Sequence, residues 1–124
     1  MKSSLKGLKR ILKAFSYSYD GFTATFKTEA AFRQDLLFCF ITGILLVFLP
    51  VSGIELAFMS FSLLLILIIE LANSAIETVI DRIGEEYHDL SKKAKDIGSL
   101  LVLLGFINMF LTWGIILYPI YFRG

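Results

Sequence analysis

Between residues 3 and 26, apolar side chains recur at three- and four-residue steps: Leu5, Leu8, Ile11, Leu12, Phe15, Tyr19, Phe22 and Phe26. Lys2, Lys6, Lys9, Arg10 and Lys13 lie between them. The spacing predicts an amphipathic helix. Its basic face suits a seat in the headgroup plane over anionic lipid, or against the rest of the protein. Gly21 is expected to bend or break it. From Ala30 the pattern becomes continuously apolar. The first span is expected over residues 30–49, and at about 1.5 Å per residue these twenty residues reach about 30 Å, one bilayer core. Arg33, Gln34 and Asp35 fall in its first turns, where long polar groups reach the interface. Pro50 and Gly53 end it in a short turn. The second span is expected from Ile54 to Ile69, continuing as a polar helix to Ile83. The third runs over residues 97–121, with Trp113, Tyr118 and Tyr121 as interface anchors. Between them, GEEYHDLSKKAKD, residues 84–96, reads as a charged loop.

The pattern therefore predicts an all-α integral membrane protein: one domain over residues 1–124, with three transmembrane helices behind an amphipathic surface helix. Composition strengthens this. The chain is 56% hydrophobic, too apolar for an ordinary soluble domain of 124 residues. A net charge of +1 names no partner and does not point to nucleic acid. The placement of charge says more. Lys2, Lys6, Lys9, Arg10, Lys13, Lys27 and Arg33 precede or open the first span, and Arg82, Lys92, Lys93 and Lys95 lie around the charged segment. The turn at 50–55 has no Lys or Arg, and Arg123 is a single contrary cation. The positive-inside rule then puts the N-terminus and the 84–96 segment in the cytoplasm. No cleavable signal peptide is expected, because the first long apolar run begins near Ala30 and lacks an A-x-A-type end. Cys39 is the only cysteine, so no intrachain disulfide forms, and it reads as a packing residue.

The chemistry concentrates in residues 70–96. On a helix turning about 100° per residue, with Glu70 at zero, Asn73 falls near −60°, Glu77 near −20° and Asp81 near +20°. The four share a stripe about 16 Å long, running from the membrane toward its cytoplasmic surface. Glu70 ends the apolar run Leu56–Ile69. A carboxylate there costs about 2.5 kcal/mol or more if it faces lipid, which makes it a functional candidate by default. The bland alternative is a structural hydrogen bond to a neighbouring helix. Glu29 sits at the mouth of the first span and can meet Glu77 at one depth. Two carboxylates joined by phosphate oxygens are a common way to hold Mg²⁺, which needs few protein ligands. Lys95 and Asp96 precede the third span, where a cation can meet a phosphate; a snorkelling lysine and a helix-start acid explain them equally well. His88 alone reads as a solvated loop residue. There is no G-x-x-x-x-G-K-[ST] loop, no G-x-G-x-x-G, no G-x-S-x-G and no metal-spaced His/Cys cluster.

Four segments together, EAAFRQD (29–35), ELANSAIE (70–77), VIDRIGEEYHDLS (79–91) and AKDIGS (94–99), resemble the signature blocks of the bacterial diacylglycerol kinase family. The resemblance extends from about Arg10 to Trp113. It implies an ATP-dependent lipid kinase in the bacterial cytoplasmic (inner) membrane, acting as a homotrimer with active sites shared between subunits at the cytoplasmic interface. It implies diacylglycerol as acceptor, phosphatidic acid as product, ATP as donor and Mg²⁺ as cofactor. Glu70 matches the family's general base, and Glu29 and Glu77 its metal-binding acids. Arg10, Tyr17, Glu29, Asn73, Glu77, Glu86, Tyr87, His88, Lys95 and Asp96 match positions at the nucleotide, with Lys95 expected on its phosphates. Arg10, Ala14, Ala31, Gln34, Glu70 and Ser99 match positions along the lipid acceptor.

The chain departs from the family pattern at four places. Thr28 stands for Asn, Asp35 for Glu, Tyr19 for Trp and Ala72 for a larger apolar residue. None of these replaces a catalytic acid, while Tyr19 and Ala72 bear on trimer packing and the lipid pocket. Three other functions compete. An undecaprenol kinase shares the fold, although Phe32-Arg33-Gln34 favours diacylglycerol. An oligomeric channel or transporter subunit needs polar residues across a whole span, yet here the stripe stops at Glu70, leaving only isolated residues such as Asn108 and Thr112 beyond it. A purely structural subunit leaves the shared stripe unexplained.

Overall fold

The computed structural model describes residues 6–123, which form four helices in chain order: α1 (Leu8–Thr28), α2 (Ala30–Val47), α3 (Gly53–Ile83) and α4 (Asp89–Phe122). Lys2, Leu5 and the expected start of the first helix at residue 3 lie outside the described residues. Helices α2, α3 and α4 are each long and apolar enough to cross a membrane. At 31 residues α3 is about 46 Å long, roughly 16 Å more than a bilayer core requires.

Local signals explain the boundaries. Glu29 is extended (φ −116°, ψ 106°) and serves both as C-cap of α1 and N-cap of α2, so the two helices meet at one residue. Arg33 Nη1 donates to the carbonyl of Phe26 at 2.6 Å, placing a cation at the negative end of α1. Gly21 does not break α1: the helix runs straight through it, and Thr25 Oγ1 donates to the Gly21 carbonyl at 2.8 Å. Helix α2 stops at Val47, two residues before the expected end. Phe48 and Leu49 close a tighter turn onto Leu45 and Leu46 before Pro50. Helix α3 opens with a capping box: Glu55 N donates to Ser52 Oγ, and Ser52 N to Glu55 Oε1.

The charged segment read as a loop over 84–96 is helical from Asp89, leaving only Gly84–His88 between α3 and α4. His88 is the reason. Its Nδ1 accepts from Leu90 N at 3.0 Å, so it caps the helix instead of simply facing solvent. Asp89 in the first turn and the Lys92–Asp96 pair at 2.7 Å, one turn apart, reinforce it.

Helix α3 is the centre of the bundle, with α4 and α2 packed on it and α1 packed on α2. The core is small: Leu63 and Ile66 of α3 meet Met109 of α4, with Phe38, Cys39, Phe106 and Trp113 around them. Trp113 points its indole N–H inward, donating to Ser62 Oγ at 3.0 Å, and Ser62 in turn donates to the Met59 carbonyl at 2.6 Å. It therefore serves as an interhelical tie where an interface anchor was expected. Cys39 Sγ lies 3.4 Å from the Leu63 carbonyl, consistent with its packing role. Helix α1 has no buried residue. It is anchored at its C-terminal end by Phe22, which packs edge-on against the fully buried Phe32 of α2. Most large apolar side chains on the outer faces of all four helices are exposed. Such surfaces need lipid or further protein around them.

Candidate functional site

Glu70 is 5% exposed, and the bundle builds a polar patch around it. Helix α3 carries Glu70, Asn73 and Ser74, all buried, with Glu77 half-buried one turn further on. The α1–α2 corner brings Glu29 to this face, and the first turns of α2 bring Asp35. The Asp35 carboxyl meets that of Glu70, and Glu77 and Glu29 are the next charges around it. Glu70 and Asp35 thus form a carboxyl pair, with Glu77 and Glu29 as further acids on the same side. Among the described residues no group donates to Asp35 Oδ2, which is buried without a hydrogen-bond partner. Acceptors facing acceptors require a proton or a cation between them.

Asn73 and Ser74 repeat the theme, since Asn73 Oδ1 and Ser74 Oγ are also buried and without a hydrogen-bond partner among the described residues. The Asn73 amide is pressed against α4 at Gly98. No group of three or more His, Cys, Asp or Glu side chains forms a metal cage among the described residues. The carboxylates nevertheless fit a hard divalent cation whose remaining ligands are phosphate oxygens and water.

Further along α3, the helix ends beside a cleft of about 550 Å³. Glu86, Tyr87, His88, Lys95 and Asp96 all line it, together with Asp81. Lys95 reaches Asp81 at 3.4 Å, bridging α4 to α3, and Asp96 is held by Lys92. Both pairs are largely exposed, so neither contributes much stability and both cations are free to exchange partners. The Asp89 carboxylate beside Tyr87 holds its hydroxyl above the ordinary tyrosine pKa.

The structure therefore brings the sequence candidates into two adjoining groups on one side of α3. Glu29, Glu70, Asn73 and Glu77 form the first, and Glu86, Tyr87, His88, Lys95 and Asp96 the second. Glu77 and Asp81, one helical turn apart, connect them, about 6 Å along the axis. Ala31 and Gln34 lie on the exposed side of α2 near Asp35, and Ser99 follows Gly98 on α4. Arg10, Ala14 and Tyr17 are not brought in. They lie about 28, 22 and 18 Å along α1 from Glu29 and are exposed. Sequence reasoning missed two residues. Asp35 reads in the sequence as an interfacial polar group and a departure from the family pattern, and Gly98 only as part of a motif, because each acquires its significance from a contact between helices.

A paired set of acids beside a lysine-bearing cleft suits the handling of a polyphosphate at a membrane surface. Comparison with known proteins identifies relatives of the whole chain. The family described as prokaryotic diacylglycerol kinase matches residues 16–117. A protein of Pseudomonas aeruginosa named diacylglycerol kinase is 48% identical over 111 residues, covering 90% of both chains. One from Escherichia coli (strain K12) with the same name is 42% identical over 118 residues, covering 95% of this chain and 97% of that protein. One from Haemophilus influenzae is 43% identical over 115 residues, covering 90% of this chain and 95% of its own. With its three membrane-length helices and a match along nearly its whole length, the chain belongs to the prokaryotic diacylglycerol kinase family.

Proposed function

We propose that this chain is an ATP-dependent lipid kinase that phosphorylates the free hydroxyl of diacylglycerol and releases phosphatidic acid and ADP. One observation carries the placement of the chemistry: buried Glu70 sits within a cluster of acids that adjoins a cleft lined by Lys95. The lipid hydroxyl attacks the γ-phosphorus of ATP, and Glu70 accepts its proton. The bond from that phosphorus to the β–γ bridging oxygen breaks, and the bridging oxygen leaves with ADP. Phosphoryl transfer asks the protein mainly for positioning and charge neutralisation. Lys95 supplies a cation to the phosphates, and Asn73 lies between the base and Glu77 on the same face of α3. Glu29 and Glu77 are the residues that would hold a divalent cation, taken here as Mg²⁺ because its hard oxygen ligands match this set. When bound, that ion neutralises phosphate charge and helps fix the γ-phosphoryl group.

The depth of Glu70 suits a substrate whose tails stay in lipid while its hydroxyl lies near the interface. Ala31, Gln34 and Ser99 line the approach of the acceptor. The excess of Lys and Arg around the N-terminus and the α3–α4 connection supports a cytoplasmic N-terminus and a site on the cytoplasmic side of the inner membrane. A homotrimer is the working assembly. Its support is the wide apolar exposure of the helices and the distance of Arg10, Ala14 and Tyr17 from Glu29 of their own chain. Those three residues complete a neighbouring subunit's site, with α1 lying in the headgroup plane.

The test is ATP-dependent phosphorylation in mixed micelles, with diacylglycerol and undecaprenol offered separately. Phosphatidic acid as the main product supports the reading. Preference for undecaprenol keeps the mechanism and replaces the acceptor. Phosphorylation of neither lipid by folded, oligomeric protein refutes the proposal.

A further inference from the structure

Asn73 and Gly98 meet where α3 packs on α4. Asn73 is 8% exposed, and its Oδ1 has no hydrogen-bond partner among the described residues. A Cβ built on Gly98 would overlap that oxygen and lie 3.1 Å from Asn73 Cγ. The amide therefore occupies the space that any other residue at position 98 would fill with its own side chain. The backbone does not explain the glycine: Gly98 lies inside α4 without a positive φ, and a helix interior favours alanine. Gly105, also buried on α4, provides a contrast. A Cβ there would meet only the tip of Ile69, with Cδ1 at 3.1 Å.

We propose that Gly98 is a positioning residue of the kinase site: its bare Cα seats the Asn73 amide on the face of α3 between Glu70 and Glu77. The inference rests on the assignment of Asn73 to the active site made above. Among the described residues packing alone sets the place of the Asn73 oxygen, because no hydrogen bond holds it. A methyl group at 98 drives the amide to another rotamer. The fold tolerates this, since the obstructing atoms are the end of a side chain and the backbone need not move. The substitution is therefore costly for turnover and cheap for stability, the reverse of an ordinary packing defect.

The experiment compares Gly98→Ala, Asn73→Ala, the double variant and Gly105→Ala in the full-length protein in mixed micelles, measuring kcat, KM for ATP and the thermal midpoint. Gly98→Ala is expected to lower kcat about 10- to 100-fold, the scale of an ångström-size misplacement, with the midpoint unchanged or raised. Gly105→Ala retains kcat within about twofold, since it touches only a flexible apolar tip. In the Asn73→Ala background, alanine at 98 lowers kcat no further and raises the midpoint more than it does in the wild type. The proposal is overturned if Gly98→Ala turns over like the wild type, if its loss of kcat is equally large without the Asn73 amide, or if that loss follows a fall in midpoint. Full kcat in Asn73→Ala overturns the site assignment itself. That result is distinct from failure of the proposal alone, in which Asn73→Ala is impaired and Gly98→Ala is not.

Discussion

Asp35 offers a test of how the acid cluster is built, because replacing it should make the fold more stable while harming the site. Its carboxyl meets that of Glu70, and its Oδ2 is buried with no donor among the described residues. Asparagine is nearly isosteric and adds a donor. Two unit charges about 4 Å apart repel by about 4 kcal/mol at an effective dielectric near 20. Sharing of a proton, or solvent at the rim of the cluster, relieves part of that repulsion. A hydrogen bond to a charged acceptor contributes about 1.5–3 kcal/mol. Asp35→Asn is therefore expected to stabilise the protein by about 1–3 kcal/mol, the range left once part of the repulsion is already relieved. For a chain of this size that is roughly 3–10 °C in the thermal midpoint. The assay is thermal unfolding in detergent without nucleotide, followed by circular dichroism, alongside kinase activity on the same samples. Activity should fall, because the cluster loses a charge suited to a bound cation. A lower midpoint for Asp35→Asn would refute this account of the cluster, since it would mean that Asp35 already makes a favourable contact that asparagine cannot.

Three other substitutions probe the scaffold and the cleft. Ser52→Ala removes half of the capping box of α3 and should cost about 1 kcal/mol in denaturant or thermal unfolding, leaving KM for ATP unchanged because it lies at the opposite end of the helix from the site. Ser62→Ala strands the Trp113 indole N–H and should cost about 1–3 kcal/mol, whereas Trp113→Phe, which leaves Ser62 bonded to the Met59 carbonyl, should lose only about 1 kcal/mol from the missing hydrogen bond; equal stability losses would contradict the tie. Lys95→Gln should change stability by less than about 1 kcal/mol, since its pair with Asp81 is exposed, yet it should raise KM for ATP in steady-state assays.

The parts of this protein that were legible in the sequence depend on one helix at a time. The apolar runs give three membrane-length helices because bilayer thickness sets their length directly. Glu70, Asn73 and Glu77 share a face because helical periodicity requires it. The extra turns of α4 before residue 97 went unread, although their cues were local: a histidine cap, an acid at the helix start and a Lys–Asp pair one turn apart. The charge of that segment resembles a solvated loop, and capping by a histidine nitrogen is an uncommon signal. Gly21 was overread, because glycine permits a break without imposing one. Asp35 against Glu70, Gly98 against Asn73 and Trp113 on Ser62 join different helices. No periodicity along one segment reveals which faces will meet.

The central claim is that Glu70 is the base at the head of this cluster, and the most direct measurement is kcat for diacylglycerol phosphorylation by Glu70→Gln beside the wild type. Glutamine preserves the size of the side chain and removes its ability to accept the proton. The account predicts a loss of about 10²–10⁴ in kcat, the usual contribution of a positioned general base, with KM for ATP little changed and the protein still folded. Turnover by Glu70→Gln within a few-fold of the wild type would contradict it and return Glu70 to a structural role.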